Sequence, residues 1–135
     1  MAEIQRALEL DPLIAYFQFV YGMDLVLTGR DDEAMVQFRK ALRGGLLFVH
    51  GDISEILFRK AKYDESLAEM KAYYAEDREM EEALTQGYAQ SGYRGAMRRA
   101  ADILATRSRK TYVAPAEIAG LYARSAPRRL KSSCR

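Results

Sequence analysis

Apolar residues recur at spacings of three and four through most of the chain, and the polar positions between them fall on the opposite side of a helical period. Ala34, Phe38, Ala41 and Leu42 form one such face. The spacing predicts helices over 2–10, 13–28, 31–43, 47–60, 64–76, 78–91, 94–107 and 115–126. Thr111-Tyr112-Val113 is too short and isolated to read as a strand. Asp31 and Asp32, and later Asp64 and Glu65, stand where acids satisfy the open N–H groups of a first helical turn. Gly29 and Gly92 stand where a chain leaving a helix takes a left-handed conformation. Pro12 and Pro115 fall at helix starts, where a missing N–H costs little.

The pattern repeats. Gly29-Arg30-Asp31-Asp32-Glu33-Ala34 returns as Ala61-Lys62-Tyr63-Asp64-Glu65-Ser66 and, more weakly, as Gly92-Tyr93-Arg94-Gly95-Ala96-Met97. The starts lie 32 and 31 residues apart, and a fourth turn position, Ala126, follows 34 residues later. Ala7-Leu8 and Ala41-Leu42 are also 34 residues apart. A period of 31–34 is the size of one unit of two helices and a tight turn.

These residues resemble the tetratricopeptide repeat (TPR) family, most closely the repeat regions of bacterial multi-repeat proteins. Tyr21-Gly22 stands at the family's Leu-Gly pair, Gly29 at its turn, and Ala34, Phe38 and Ala41 follow in step. Ala7 and Glu9-Leu10-Asp11-Pro12 match the close of a preceding unit. Leu84, Tyr88 and Gly92 match a third unit, and Ile118, Ala119 and Tyr122 fit the first helix of a last one. The sequence departs from the family where Gln18, His50 and Glu81 replace the large aromatic near each unit's start, and where Ser54 replaces glycine. The second unit is two residues short near Arg43-Gly44-Gly45 and the third is three short.

The resemblance implies an all-α, right-handed solenoid of antiparallel helical hairpins over residues 1–126. Its parts would be the end of a partial unit (1–12), repeats at 15–46, 47–77 and 78–111, and the first helix of another partial unit (114–126). Residues 127–135, with Arg128, Arg129, Lys131 and Arg135, are expected to be a basic, disordered tail. Array ends normally carry a polar capping helix, so the unfinished ends predict either a fragment of a longer array or pairing of those ends in a homodimer.

Composition narrows the chemistry. At 135 residues with 49% apolar content, the chain can fold as one domain. One cysteine (Cys134) excludes an intramolecular disulfide and one histidine (His50) excludes a Cys/His metal cluster. The uncharged stretch Leu13–Met23 is shorter than the roughly 20 residues a membrane-spanning helix needs. No secretory signal opens the chain, and a cytoplasmic location is expected. His50 reads as a packing or surface residue and Glu81-Glu82 as a solvated surface. No glycine motif for phosphate binding is present. No enzymatic activity and no cofactor are expected.

Surface recognition remains. The resemblance places the first helix of each hairpin along a concave groove, to which Tyr16, Phe19, Val20 and Met23 would contribute in the first full unit. Phe48, Asp52, Glu55 and Arg59 would follow in the second, and Glu79, Glu82, Gln86 and Gln90 in the third. Such a groove, apolar at one end and acidic at the other, suits an apolar helix or peptide with basic flanks. The family's carboxylate-clamping positions correspond to Phe19, Met23, Asp52, Glu79 and Ala83, none of them basic, which disfavours capture of a C-terminal carboxylate. A different class of reading comes from the charge. Residues 1–93 carry a net −7 and residues 94–135 a net +9, so Arg94, Arg98, Arg99, Arg107, Arg109 and Lys110 form an alternative nucleic-acid patch. A spacer within a larger bacterial regulator is a further alternative. The partner expected first is another protein or peptide, with no membrane.

Overall fold

The computed structural model describes residues 12–127. The predicted helix 2–10, the closing motif that includes Ala7 and Leu10, and the tail beyond Pro127 with Cys134 lie outside the described residues. The described residues hold six α-helices and no strand. They are α1 (Pro12–Leu27), α2 (Asp31–Arg43), α3 (Val49–Arg59), α4 (Tyr63–Tyr73), α5 (Arg78–Arg107) and α6 (Pro115–Ser125). They group into two compact units that divide between Tyr73 and Tyr74.

In the first unit α1 pairs with α2, and α3 with α4, as two helical hairpins. Both hairpins turn in the same way. The Gly29 N–H bonds Val26 O and the Arg30 N–H bonds Leu25 O; one hairpin later the Ala61 N–H bonds Phe58 O and the Lys62 N–H bonds Leu57 O. This crossed pair of bonds satisfies the last carbonyls of α1 and α3 and requires a left-handed residue between them. Gly29 takes it at φ 78° without strain. Ala61, at φ 60°, takes it at a cost of about 1 kcal/mol. The core of this unit is built from Leu25, Ala34, Phe38, Ala41, Val49, Ile53, Ile56 and Leu57, all buried.

Close approach of the paired helices is set by small residues. A Cβ at Gly22 would stand 2.6 Å from the Phe38 ring, so the missing side chain is what admits that ring between α1 and α2. Ser54 holds the corresponding place on α3, where its hydroxyl donates to Ser66 O and the Ser66 hydroxyl donates to Ser54 O, both at 2.9 Å. Two buried polar groups thereby satisfy each other across the α3–α4 contact.

In the second unit α5 folds back on itself. The sequence predicts two helices with a break near residues 92–93. The structure keeps a two-residue break and moves it back by one, to Ser91 (φ −143°) and Gly92 (φ 72°, ψ −160°), so the two arms join almost without a loop. The arms meet at glycine. A Cβ at Gly87 would lie 2.6 Å from Gly95 O and 2.7 Å from the Ala96 Cα. Asp77 caps the first arm, its side chain accepting the Met80 N–H at 3.2 Å. Helix α6 begins with Pro115 and packs on α5. Its Arg124, 8% exposed, donates to the Tyr93 hydroxyl at 3.2 Å. Helix α4 ends at Tyr73, short of the predicted residue 76, and the turn that follows leads into the Asp77 cap.

Two glycine substitutions should move stability in opposite directions. Gly87→Ala forces apart two backbones and is expected to cost about 2 kcal/mol. Gly120→Ala, in open space within α6, should gain about 0.5–1 kcal/mol. Thermal unfolding followed by circular dichroism measures both.

Candidate functional site

Helix α1 is apolar on every side. Its sixteen residues carry one charge, Asp24. One face turns inward: Ala15, Gly22 and Leu25 are buried, and Phe19 and Val26 pack on the core cluster. The other turns outward with Leu13, Tyr16, Phe17, Val20, Tyr21, Met23 and Leu27 all exposed, Phe17 to 62% and Leu27 to 80%. A helix hydrophobic all round is normally covered all round; among the described residues, the core cluster packs against one face of α1.

Aromatic rings connect the two faces. Phe19 meets Phe38 in the core at a centroid distance of 6.0 Å. It also stands edge-on to Phe48 at 5.0 Å and touches Tyr16 at 6.0 Å. The structure therefore brings together Tyr16, Phe19 and Phe48 of the predicted groove, with Val20 and Met23 exposed on the same helix. Phe19 is a core residue at the edge of this patch rather than a fully open one. Asp52, on α3, is partly buried, and this desolvation pushes its carboxyl up to about 6, with the Glu55 charge adding to the rise. Arg59 holds Glu55 at 3.5 Å and both carboxylate oxygens of Asp31 at 3.1 Å, which fastens α3 to the first turn of α2.

The groove residues predicted for the third repeat lie in the second unit. Glu79, Glu82 and Gln86 line a cleft of about 340 Å³ with Ala83, Arg99, Asp102 and Ile103. Gln86 accepts a hydrogen bond from Arg99 at 3.0 Å and Gln90 accepts a second one. Arg107 donates to both oxygens of Asp77, at 2.6 and 2.9 Å, and to Glu79 at 2.7 Å. That pairing lowers the Asp77 carboxyl below the usual carboxylate range and raises the guanidinium. Arg98 lies 5.5 Å from the Tyr122 ring centroid and 3.7 Å from Asp102, whose carboxylate also accepts the Tyr122 hydroxyl at 2.7 Å. Of the alternative basic patch, Arg98, Arg99 and Arg107 thus make contacts within this unit, while Arg94, Arg109 and Lys110 are exposed.

His50 is partly buried with its Nδ1 2.6 Å from Glu69, which also accepts from Arg39 at 3.1 Å. This cluster ties α2, α3 and α4 together. Among the described residues no group of three His, Cys, Asp or Glu could hold a metal ion. No described helix is long and apolar enough to cross a membrane.

The outward residues Leu13, Phe17, Tyr21 and Leu27 are absent from the groove read off the sequence. Their signal is the missing charge: a helix of this length with a single acid has no polar face to give to water. Comparison with protein-family models, with curated proteins and with solved structures finds no significant match.

The raised Asp52 carboxyl sets a pH dependence. Native protein keeps this proton up to about pH 6, whereas an unfolded chain loses it near 4. Stability from this group therefore falls as pH rises from 4 to 6. Asp52→Asn should be more stable than the parent by about 1–2 kcal/mol at pH 7 and no more stable at pH 4, as read by urea unfolding at both values.

Proposed function

We propose that this chain is a non-enzymatic interaction module of TPR-type hairpins whose outward α1 face holds an apolar segment of a protein partner. The observation that carries this reading is the double-sided apolar character of α1, with one side built into the core and the other exposed. Exposed apolar patches beyond a few hundred Å² mark interaction sites in soluble proteins. The repeated turn at Gly29 and Ala61, and the small residues Gly22 and Ser54 at matching places, support the family reading.

The mechanism is presentation. Phe19 anchors the surface aromatics to Phe38, so Tyr16 and Phe48 are held in place before a partner arrives and little ordering entropy is lost on binding. Tyr16, Val20 and Met23 supply burial. Asp52 and Glu55, on the next hairpin of the same unit, favour a partner with a cation beside its apolar segment. The engagement of Arg98, Arg99 and Arg107 by groups of their own unit favours a protein partner over nucleic acid.

If α1's outer face serves recognition rather than folding, charging it should leave the fold intact. Val20→Glu is expected to shift stability by less than about 0.5 kcal/mol and to lower the binding of an apolar fluorescent dye. Leu25→Ala, on the inner face, should cost about 3 kcal/mol. A Val20→Glu loss as large as that of Leu25→Ala, in matched unfolding experiments, would contradict the reading.

A further inference from the structure

The cleft between the arms of α5 holds a cation that its own unit fixes in place but does not neutralise. Arg107, at one end of the second arm, is ion-paired to Asp77 and Glu79. Arg99 is held differently. Its Nη1 donates to Gln86 Oε1 at 3.0 Å and its Nη2 to Gln90 Oε1 at 2.5 Å, both of them neutral acceptors on the first arm. Among the described residues no carboxylate pairs with Arg99. A guanidinium carries five N–H donors in a rigid fork. The two glutamines therefore set the position of Arg99 while its charge and its remaining donors can still serve an anion.

One helical turn along the arms, about 5 Å away, the sign of the charge reverses. Glu82 stands four residues before Gln86, Asp102 three residues after Arg99, and both line the same cleft. Asp102 is positioned from α6, where the Tyr122 hydroxyl donates to it at 2.7 Å. The cations beside these acids, Arg78 at 3.9 Å from Glu82 and Arg98 at 3.7 Å from Asp102, are exposed neighbours one turn away on the same arm. Exposed pairs of this kind are weak, and a carboxylate has lone pairs enough for a second cation.

We propose that this cleft binds a small aminocarboxylate zwitterion, with its carboxylate on Arg99 and its ammonium on Glu82 and Asp102. Charge complementarity selects the class. A simple anion meets Arg99 but also the carboxylates of Glu79, Glu82 and Asp102, and a simple cation meets the acids but also Arg99. A molecule with both charges about one helical turn apart satisfies each partner and escapes both repulsions. That separation suits γ-aminobutyrate better than glycine, whose two charges flank a single carbon. Ala83 and Ile103 add apolar lining for the intervening methylenes. The volume of about 340 Å³ lies at the small end for ligand sites, and Glu82 and Asp102 are more than half exposed, so the affinity expected is modest. The site belongs to the second unit and stands independently of the α1 face.

A chemical-shift titration of the isotope-labelled full chain tests the proposal. γ-Aminobutyrate should give saturable shifts at Gln86, Arg99 and Asp102 with a dissociation constant of about 1–10 mM. Butyrate and propylamine each carry one of the two charges and should bind at least tenfold more weakly at matched ionic strength. Glu82→Gln, an exposed change that leaves the tie between the arms intact, should weaken γ-aminobutyrate several-fold while butyrate binding holds or rises. Arg99→Gln, with its fold checked by circular dichroism, should lose both ligands. Butyrate binding as tightly as γ-aminobutyrate would reduce the cleft to an anion site and overturn the proposal. Shifts that do not saturate, shifts that map away from the cleft, or a Glu82→Gln variant that binds γ-aminobutyrate like the parent would overturn it equally.

Discussion

Every hairpin in this protein depends on how closely two short helices can approach. Helices of eleven to sixteen residues are marginal by themselves, so they stand because each buries a face on its neighbour. The approach is governed by what lies at the contact: no side chain at Gly22 and Gly87, a small hydroxyl at Ser54. Where the backbones come near, a large residue from the opposite helix can fill the gap, as Phe38 does below Gly22. The turns serve the same constraint, because a left-handed residue at Gly29 or Ala61 reverses the chain while its neighbours still satisfy the helix end.

Given that geometry, α1 carries more apolar surface than its hairpin consumes. Its inner stripe joins the core through Ala15, Phe19 and Leu25, and its outer stripe is exposed. The excess is concentrated on α1, although Val36, Leu47, Phe48 and Tyr73 are exposed elsewhere in the first unit. Helix α2 opposes its buried Ala34, Phe38 and Ala41 with a polar side rich in acids and bases, the ordinary arrangement for a surface helix. In the second unit the polar groups are tied to one another, through Arg107 to Asp77 and Glu79 and through Arg99 to Gln86 and Gln90. This uneven division leaves the exposed apolar surface mainly on α1, while the paired charges of α5 hold its arms together.

Much of the fold is legible in the sequence because its signals are local. The bounds of α2 follow from three first-turn acids at one end and Gly44-Gly45 at the other, and the structure keeps them at Asp31 and Arg43. Hairpin geometry follows from turn residues at a fixed period. What local signals do not supply is how closely the arms pack: the reversal at Ser91-Gly92, one residue before the expected break, works with so short a turn because Gly87 and Gly95 allow the arms to touch. The groove reading named Tyr16, Phe19, Val20 and Met23 from a family register, and the structure puts Phe19 partly in the core. It also exposes Leu13, Phe17, Tyr21 and Leu27, which such a register passes over. Their exposure depends on which stripe α2 covers, a property of packing rather than of periodicity.

The most direct measurement is hydroxyl-radical footprinting of the chain at submicromolar concentration, with side-chain oxidation read by mass spectrometry. The account predicts that Tyr16, Phe17, Tyr21 and Met23 oxidise at rates comparable to the fully exposed Tyr112, while Phe38 and Met97 in the two cores stay protected. Protection of Tyr16, Phe17, Tyr21 and Met23 to the level of Phe38 in the dilute chain would contradict it, because α1 would then have no open face to offer a partner.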